Sequence, residues 1–136
     1  MHNFTVNQLL LILLALGAGF FILRMFFLAR PALTPEAARA ALDAGTAVLV
    51  DVRDPSEWSH GVARPAALLS LSDLRGSRTN WQPFLEKNRD KQILLYCASG
   101  ARSGMAASLL KREGFDAANL GGFSAWADSG LPVRRP

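Results

Sequence analysis

Hydrophobic residues are distributed unevenly along this chain, with one long apolar segment near the N-terminus and shorter apolar runs further on. Leu9–Leu23 is a stretch of 15 residues without a charged or strongly polar side chain, and few polar residues interrupt it when it is extended back to Phe4. As a helix, residues 4–23 would span about 30 Å, which is the thickness of the hydrocarbon core of a bilayer. The pattern therefore predicts one transmembrane helix, with residues 4–29 as the membrane-contacting segment.

Two other interpretations of this segment fit the sequence less well. A cleaved signal peptide carries positive charge before its apolar run, whereas Met1–Gln8 contains no Lys or Arg and Phe27–Ala29 is a poor cleavage site. A helix of a soluble core has a polar face, and Leu9–Leu23 has none. We therefore expect a membrane anchor.

The charges that flank the apolar segment predict its orientation. Arg24, Arg30 and Arg39 follow the segment, and no Lys or Arg precedes it. Because basic flanks stay on the cytoplasmic side, we expect the N-terminus outside and the following domain in the cytoplasm. The single cysteine agrees with a reducing compartment. The prediction is a single-pass membrane protein, with residues 1–30 as the N-terminal transmembrane helix and residues 31–136 as a cytoplasmic domain.

After the predicted anchor, short apolar runs alternate with segments of helical spacing. Ala47–Val52 is continuously apolar up to Asp51 and predicts a strand buried on both faces of a parallel sheet. Thr34-Pro35-Glu36 has the pattern of a helix N-terminus, and Gly45 and Gly114 have that of helix ends. Alternating strands and helices predict an α/β fold, an open parallel sheet flanked by helices. The other predicted strands are 66–71, 92–96 and 117–120, and the other predicted helices are 54–58, 72–74, 81–87, 103–112 and 123–127.

The only cysteine, Cys97, lies where an apolar strand-like run meets a helical segment. Small residues and one arginine follow it: Ala98, Ser99, Gly100, Ala101, Arg102 and Ser103. A thiol attacks only as its thiolate. The N-terminus of a helix, the backbone amides of a tight loop and the charge of Arg102 would all favour negative charge on sulfur. A cysteine at the end of a buried strand is usually a small core residue, but this context favours a nucleophile.

Composition and spacing argue against several other classes of function. The net charge of +4 is mild, and no basic run with interleaved aromatic residues appears, so we expect no nucleic-acid partner. Arg134-Arg135 is interpreted as a solvated basic end. There is no Cys/His pair with metal-ligand spacing and no glycine-rich nucleotide motif after a strand, so we expect no metal and no cofactor.

Three stretches of the chain, in order, resemble the signatures of the rhodanese-like sulfurtransferases. Val50–Trp58 resembles the first signature of that family, and Cys97–Ser103 resembles its active-site loop. Leu120–Trp126, followed by Gly130–Val133, resembles its C-terminal signature. The similarity extends from about Leu33 to Val133, which is nearly all of the chain outside the N-terminal segment.

The resemblance implies that Cys97 attacks a small sulfane-sulfur donor, carries the outer sulfur as a persulfide and passes it to a thiol or another nucleophilic acceptor, such as a protein. The backbone N–H groups of Ala98–Ser103 would hold the persulfide, and Arg102 would help to bind an anionic donor. Related folds that hydrolyse phosphate esters have a Cys-x5-Arg loop, one residue longer, so phosphatase and arsenate reductase activities rank below sulfur transfer. A non-catalytic binding or redox-sensing module at the membrane is the alternative.

Three smaller points concern residues near the predicted site. Arg53 and Glu57, four residues apart on a short turn, are expected to form an ion pair. Ser103 is expected to cap the helix that follows the cysteine loop. Gly61–Ala66 departs from the Gly-His-Ile-Pro-Gly-Ala of the family, and His60 precedes the glycine instead.

Overall fold

A computed structural model describes residues 4–136, and these residues contain seven helices and six strands. The helices are α1 (Val6–Ala29), α2 (Pro35–Asp43), α3 (Pro55–Trp58), α4 (Leu71–Arg75), α5 (Trp81–Lys87), α6 (Ala101–Arg112) and α7 (Phe123–Asp128). The strands are β1 (Ala47–Asp51), β2 (Val62–Ala63), β3 (Ala66–Leu68), β4 (Gln92–Cys97), β5 (Ala117–Gly122) and β6 (Val133–Arg134).

Four strands form one parallel sheet in the order β3-β1-β4-β5. The predicted α/β fold, an open parallel sheet flanked by helices and preceded by one apolar helix, is confirmed. A two-stranded antiparallel sheet, β2 with β6, was not predicted, because two-residue strands leave no periodic pattern. Of the predicted solvated end, Arg135 is exposed, but Arg134 lies in β6 and donates hydrogen bonds to the carbonyls of Arg64 and Ala66.

Alternation along β4 sends its side chains into two hydrophobic cores. Ile93, Leu95 and Cys97 point to the face covered by α4, α5 and α6, and Leu94 and Tyr96 point to the face covered by α2 and α7. Each of these five side chains is fully buried. The period of two therefore places the cysteine on the α6 side, at the carboxyl end of a central strand.

Helix α1 stands apart from the two cores for most of its length. Its 24 residues make it about 36 Å long, and it is long and apolar enough to cross a membrane. Its C-terminal half runs antiparallel to α6, where Leu28 O lies against Gly104 so closely that a Cβ on this glycine would overlap it. The last residues of α1 therefore pack directly against α6, the helix that follows the cysteine loop.

Candidate active site

Cys97 ends β4, and the chain turns immediately after it into α6. Gly100 makes this turn with a φ of +93°, a conformation that favours glycine, and serves as the N-cap of α6. The turn directs the Gly100 N–H to Cys97 Sγ at 3.0 Å, and the Ser103 hydroxyl donates to the same sulfur at 3.4 Å. With an exposed fraction of 0%, Cys97 lies beneath its own loop.

These donors change the ionisation of the thiol. Burial raises the pKa of Cys97. Hydrogen bonds from the Ser103 hydroxyl and from the backbone N–H groups of Ser103, Ser99 and Gly100 lower the pKa, and together they outweigh the effect of burial. The pKa of Cys97 therefore lies below its usual range. The same donors are positioned to stabilise an anionic sulfur at this place.

Asn119, which the sequence analysis did not single out, connects the cysteine loop to β5 and to α1. Its Oδ1 accepts a hydrogen bond from the Gly121 N–H at 3.0 Å and lies 2.8 Å from Ser103 Oγ, so that it shares the single hydroxyl hydrogen of Ser103 with Cys97 Sγ. Its Nδ2 donates to Gly100 O at 3.0 Å and to Leu28 O at 2.8 Å. The expectation that Ser103 caps α6 is wrong, because its hydroxyl is used by Asn119 and Cys97 instead.

The guanidinium of Arg102 reaches from α6 to the carboxylates of α3 and its N-cap. Its two terminal nitrogens donate to the Glu57 carboxylate at 2.6 and 2.9 Å, and Asp54 Oδ2 lies 3.6 Å away. The hydrogen bond from Arg102 lowers the pKa of Glu57 to about 2, although partial burial opposes this. The expected Arg53–Glu57 ion pair is therefore wrong, since Glu57 pairs with Arg102.

Arg53 instead forms a buried ion pair with Asp51 behind the site. Its Nη2 donates to Asp51 Oδ2 at 2.8 Å and to Gly61 O at 2.7 Å. Its guanidinium lies 4.8 Å from the ring centroid of Phe123, and the ring of Tyr96 stacks on that of Phe123. The pair thus joins the end of β1 to the turn before β2 and to the start of α7.

The remaining predicted site residues occupy different environments. Ala98 and Ser99 are exposed at the tip of the loop, and Ala101 is the first, half-buried residue of α6. His60 is exposed on the segment between α3 and β2. Across residues 4–136, no group of three or more His, Cys, Asp or Glu side chains is placed to hold a metal ion. The absence of a metal stays a prediction.

A buried, hydrogen-bonded thiol at the carboxyl end of a parallel strand, followed by a short loop and a helix, defines a class of α/β domains with a single cysteine as the candidate reactive group. The model of the rhodanese-like domain matches residues 34–129. The chain belongs to the rhodanese-like family.

Relatives of this family resemble the chain over most of its length. A sulfurtransferase of Allochromatium vinosum is 38% identical over 96 residues, which is 69% of this chain and 84% of the relative. A probable adenylyltransferase/sulfurtransferase MoeZ of Mycobacterium tuberculosis is 36% identical over 103 residues, which is 74% of this chain but only 25% of that protein.

Solved structures share the fold. A rhodanese-related protein of Thermoplasma volcanium aligns with a TM-score of 0.65 at 24% identity, over 79% of this chain and 100% of that one. A protein of unknown function from Rhodopseudomonas palustris, described as a possible tyrosine phosphatase, aligns with a TM-score of 0.64 at 31% identity, over 76% of this chain and 84% of that one.

Proposed function

We propose that this protein is a membrane-anchored sulfurtransferase that moves sulfane sulfur through a persulfide on Cys97 to a thiol or another nucleophilic acceptor. The observation that carries the proposal is the convergence of the Gly100 N–H and the Ser103 hydroxyl on Cys97 Sγ, at 3.0 and 3.4 Å. This arrangement lowers the pKa of the thiol without a neighbouring base. A thiolate so prepared is the nucleophile that sulfur transfer requires.

The reaction takes place in two displacement steps. In the first, the Cys97 thiolate attacks the outer sulfur of a donor such as thiosulfate; the new S–S bond forms as the old one breaks, and sulfite leaves with the electron pair. In the second, an acceptor thiolate attacks the outer sulfur of the persulfide, and the Cys97 thiolate is released. Because Cys97 is fully buried, the loop must open to admit the donor. The loop amides then stabilise the persulfide anion.

The length of the loop favours sulfur over phosphate as the transferred group. The Rhodopseudomonas palustris relative is described as a possible tyrosine phosphatase, but phosphate ester hydrolysis in related folds uses a Cys-x5-Arg loop. Here Arg102 is one residue nearer to Cys97 and its guanidinium is occupied by Glu57. The site therefore fits a single sulfur atom better than a tetrahedral phosphate.

The membrane part of the proposal depends on α1. The large apolar side chains of this helix are exposed, several of them, such as Leu11, Leu14 and Phe20, by more than 60%. Such a surface is stable in contact with lipid. Arg24 and Arg30 at its C-terminal end support a cytoplasmic position of the rhodanese-like domain, which we assign to residues 31–136. The cysteine loop lies at the end of α6 remote from Phe20, so it faces soluble donors and protein acceptors.

Mass spectrometry tests the sulfur-transfer proposal. After incubation of the full chain with thiosulfate or a low-molecular-weight persulfide, we expect the protein to gain one sulfur atom, which fragmentation locates on Cys97. Since two oxygen atoms add nearly the same mass, treatment with dithiothreitol is the control: it removes a persulfide sulfur but not the oxygens of a sulfinic acid. If no sulfane donor yields a reducible adduct, the chain is a binding or redox-sensing module instead.

The Arg102–Glu57 pair gives a second prediction, about donor binding. We expect Arg102→Ala to weaken loading by thiosulfate, because a positive charge near the loop is lost, and Glu57→Gln to strengthen it, because the guanidinium is released from its carboxylate. The concentration of thiosulfate that gives half-maximal loading measures both effects. Equal losses in the two variants would show that the pair only holds α3 against α6.

A further inference from the structure

A groove of about 540 Å³ runs between α1 and the rhodanese-like domain, on the side of α6 remote from the cysteine loop. One wall consists of the C-terminal half of α1, and the other of α4 and α6. The residues that line it are mostly apolar, with three arginines and one serine among them, and no acidic residue takes part. Nothing in the sulfur-transfer reaction uses this groove.

The apolar residues that line the groove come from both α1 and the rhodanese-like domain. Phe20, Phe21 and Met25 come from α1, and Met105 and Leu109 come from α6. Phe20 and Phe21 remain 68% and 63% exposed. The packing of α1 on the domain therefore leaves the hydrophobic groove open along the helix. A groove of this kind fits an acyl chain.

Arg24 shares the groove with two other arginines. Arg75 at the end of α4 and Arg112 at the end of α6 line the groove with it. All three arginines are exposed, and none of them forms a salt bridge within the described part of the chain. A second groove of about 310 Å³, on the other side of α1, adds Arg30 and Lys111 and likewise contains no carboxylate. Unpaired basic side chains on both sides of the helix complement an anionic ligand.

The position of Arg24 along α1 indicates where the groove would meet a bilayer. From Val6 to Arg24 the helix rises about 27 Å, close to the thickness of a hydrocarbon core of about 30 Å. If α1 spans a bilayer, Arg24 lies at the level of the headgroups. Phe20 and Phe21 then lie beside the part of the acyl chains that is next to the headgroups. The groove then joins the apolar and the headgroup layers at one point.

We propose that this groove binds one anionic phospholipid of the surrounding bilayer, with its phosphate on Arg24, Arg75 and Arg112 and an acyl chain against Phe20 and Phe21. The proposal rests on the proposed anchoring of α1, but not on sulfur transfer. The bound lipid fills the space between the anchor and α6, and so fixes the orientation of the domain on the membrane.

Native mass spectrometry of the full chain in an uncharged detergent tests the proposal. Titrated with dioleoylphosphatidylglycerol, the protein is expected to retain one lipid molecule, and with dioleoylphosphatidylcholine far less. The triple variant Arg24→Gln, Arg75→Gln, Arg112→Gln is expected to bind phosphatidylglycerol roughly 100-fold more weakly, since each basic residue near an anionic lipid contributes about fivefold. The matched control Lys87→Gln, Lys91→Gln, Arg135→Gln removes the same charge elsewhere and is expected to bind as the parent does.

A second variant separates the groove from charge alone. Ser108→Phe places a ring in the groove and leaves every arginine in place, and it is expected to reduce lipid retention at least tenfold while circular dichroism stays unchanged. Equal retention of the two lipids, or equal losses in the two triple variants, would overturn the proposal. Carbonate extraction of native membranes tests the anchor independently: a chain that stays in the pellet but shows no lipid selectivity contradicts only the lipid site.

Discussion

Replacement of Cys97 by serine is expected to abolish sulfur loading while leaving the fold intact. Serine differs from cysteine by one atom and accepts the same hydrogen bonds from Gly100 and Ser103. Its hydroxyl does not ionise near neutral pH and cannot hold a sulfane sulfur as a persulfide. The adduct formed with thiosulfate should fall below the detection limit of mass spectrometry, and the unfolding midpoint should change little because the side chain volume is nearly conserved.

The same variant provides the blank for a titration of the thiol. Because hydrogen bonds lower the pKa of Cys97 below its usual range, the thiolate fraction at neutral pH is larger than for a free cysteine, whose pKa is about 8.5. The ultraviolet absorbance of the thiolate, with the serine variant subtracted, should therefore rise at a pH below that value. The rate of thiosulfate loading should rise over the same interval and then level off. A midpoint at or above about 8.5 would contradict the mechanism, even if some sulfur is loaded.

The cysteine loop and the elements around it could be predicted because their signals are local. Thr34 and Pro35 start α2 as expected, with the Thr34 hydroxyl accepting from the Ala37 N–H. The apolar run that ends in Cys97 forms β4, and the small residues after it form the turn at Gly100. In these segments the propensity of each residue agrees with the fold, so sequence spacing was sufficient.

The partners of the site residues could not be predicted, because they come from distant parts of the chain. Glu57 is 45 residues from Arg102, and Asn119 is 91 residues from Leu28. The short spacing of Arg53 and Glu57 suggested a local pair instead. The helix that contains Glu57 has only four residues, and the buried carboxylate of Asp51 binds Arg53 in place of that of Glu57. The one sequence signal of Asn119 is its place in an apolar strand, where asparagine is rare.

Replacement of Arg53 by methionine is expected to destabilise the fold by about 3–5 kcal/mol. The side chains of Asp51 and Arg53 are 0% and 7% exposed. Methionine fills much of the space of the arginine, so the loss comes from the Asp51 carboxylate, which stays buried without its counter-charge, and from the Gly61 carbonyl, which loses its donor. Chemical unfolding of the full chain in an uncharged detergent measures the change in the free energy of unfolding.

Arg39 supplies the matched control for this prediction, because it too pairs with an aspartate. Its partner is Asp43, four residues later on α2, and the two side chains are 38% and 62% exposed. Water solvates the carboxylate when the partner is lost, so Arg39→Met should cost less than about 1 kcal/mol. The double variant Asp51→Leu, Arg53→Met should regain part of the stability lost in Arg53→Met, since it leaves no unpaired charge. Similar losses at Arg39 and Arg53, or no recovery in the double variant, would mean that burial of the carboxylate is not what makes the Asp51–Arg53 pair indispensable.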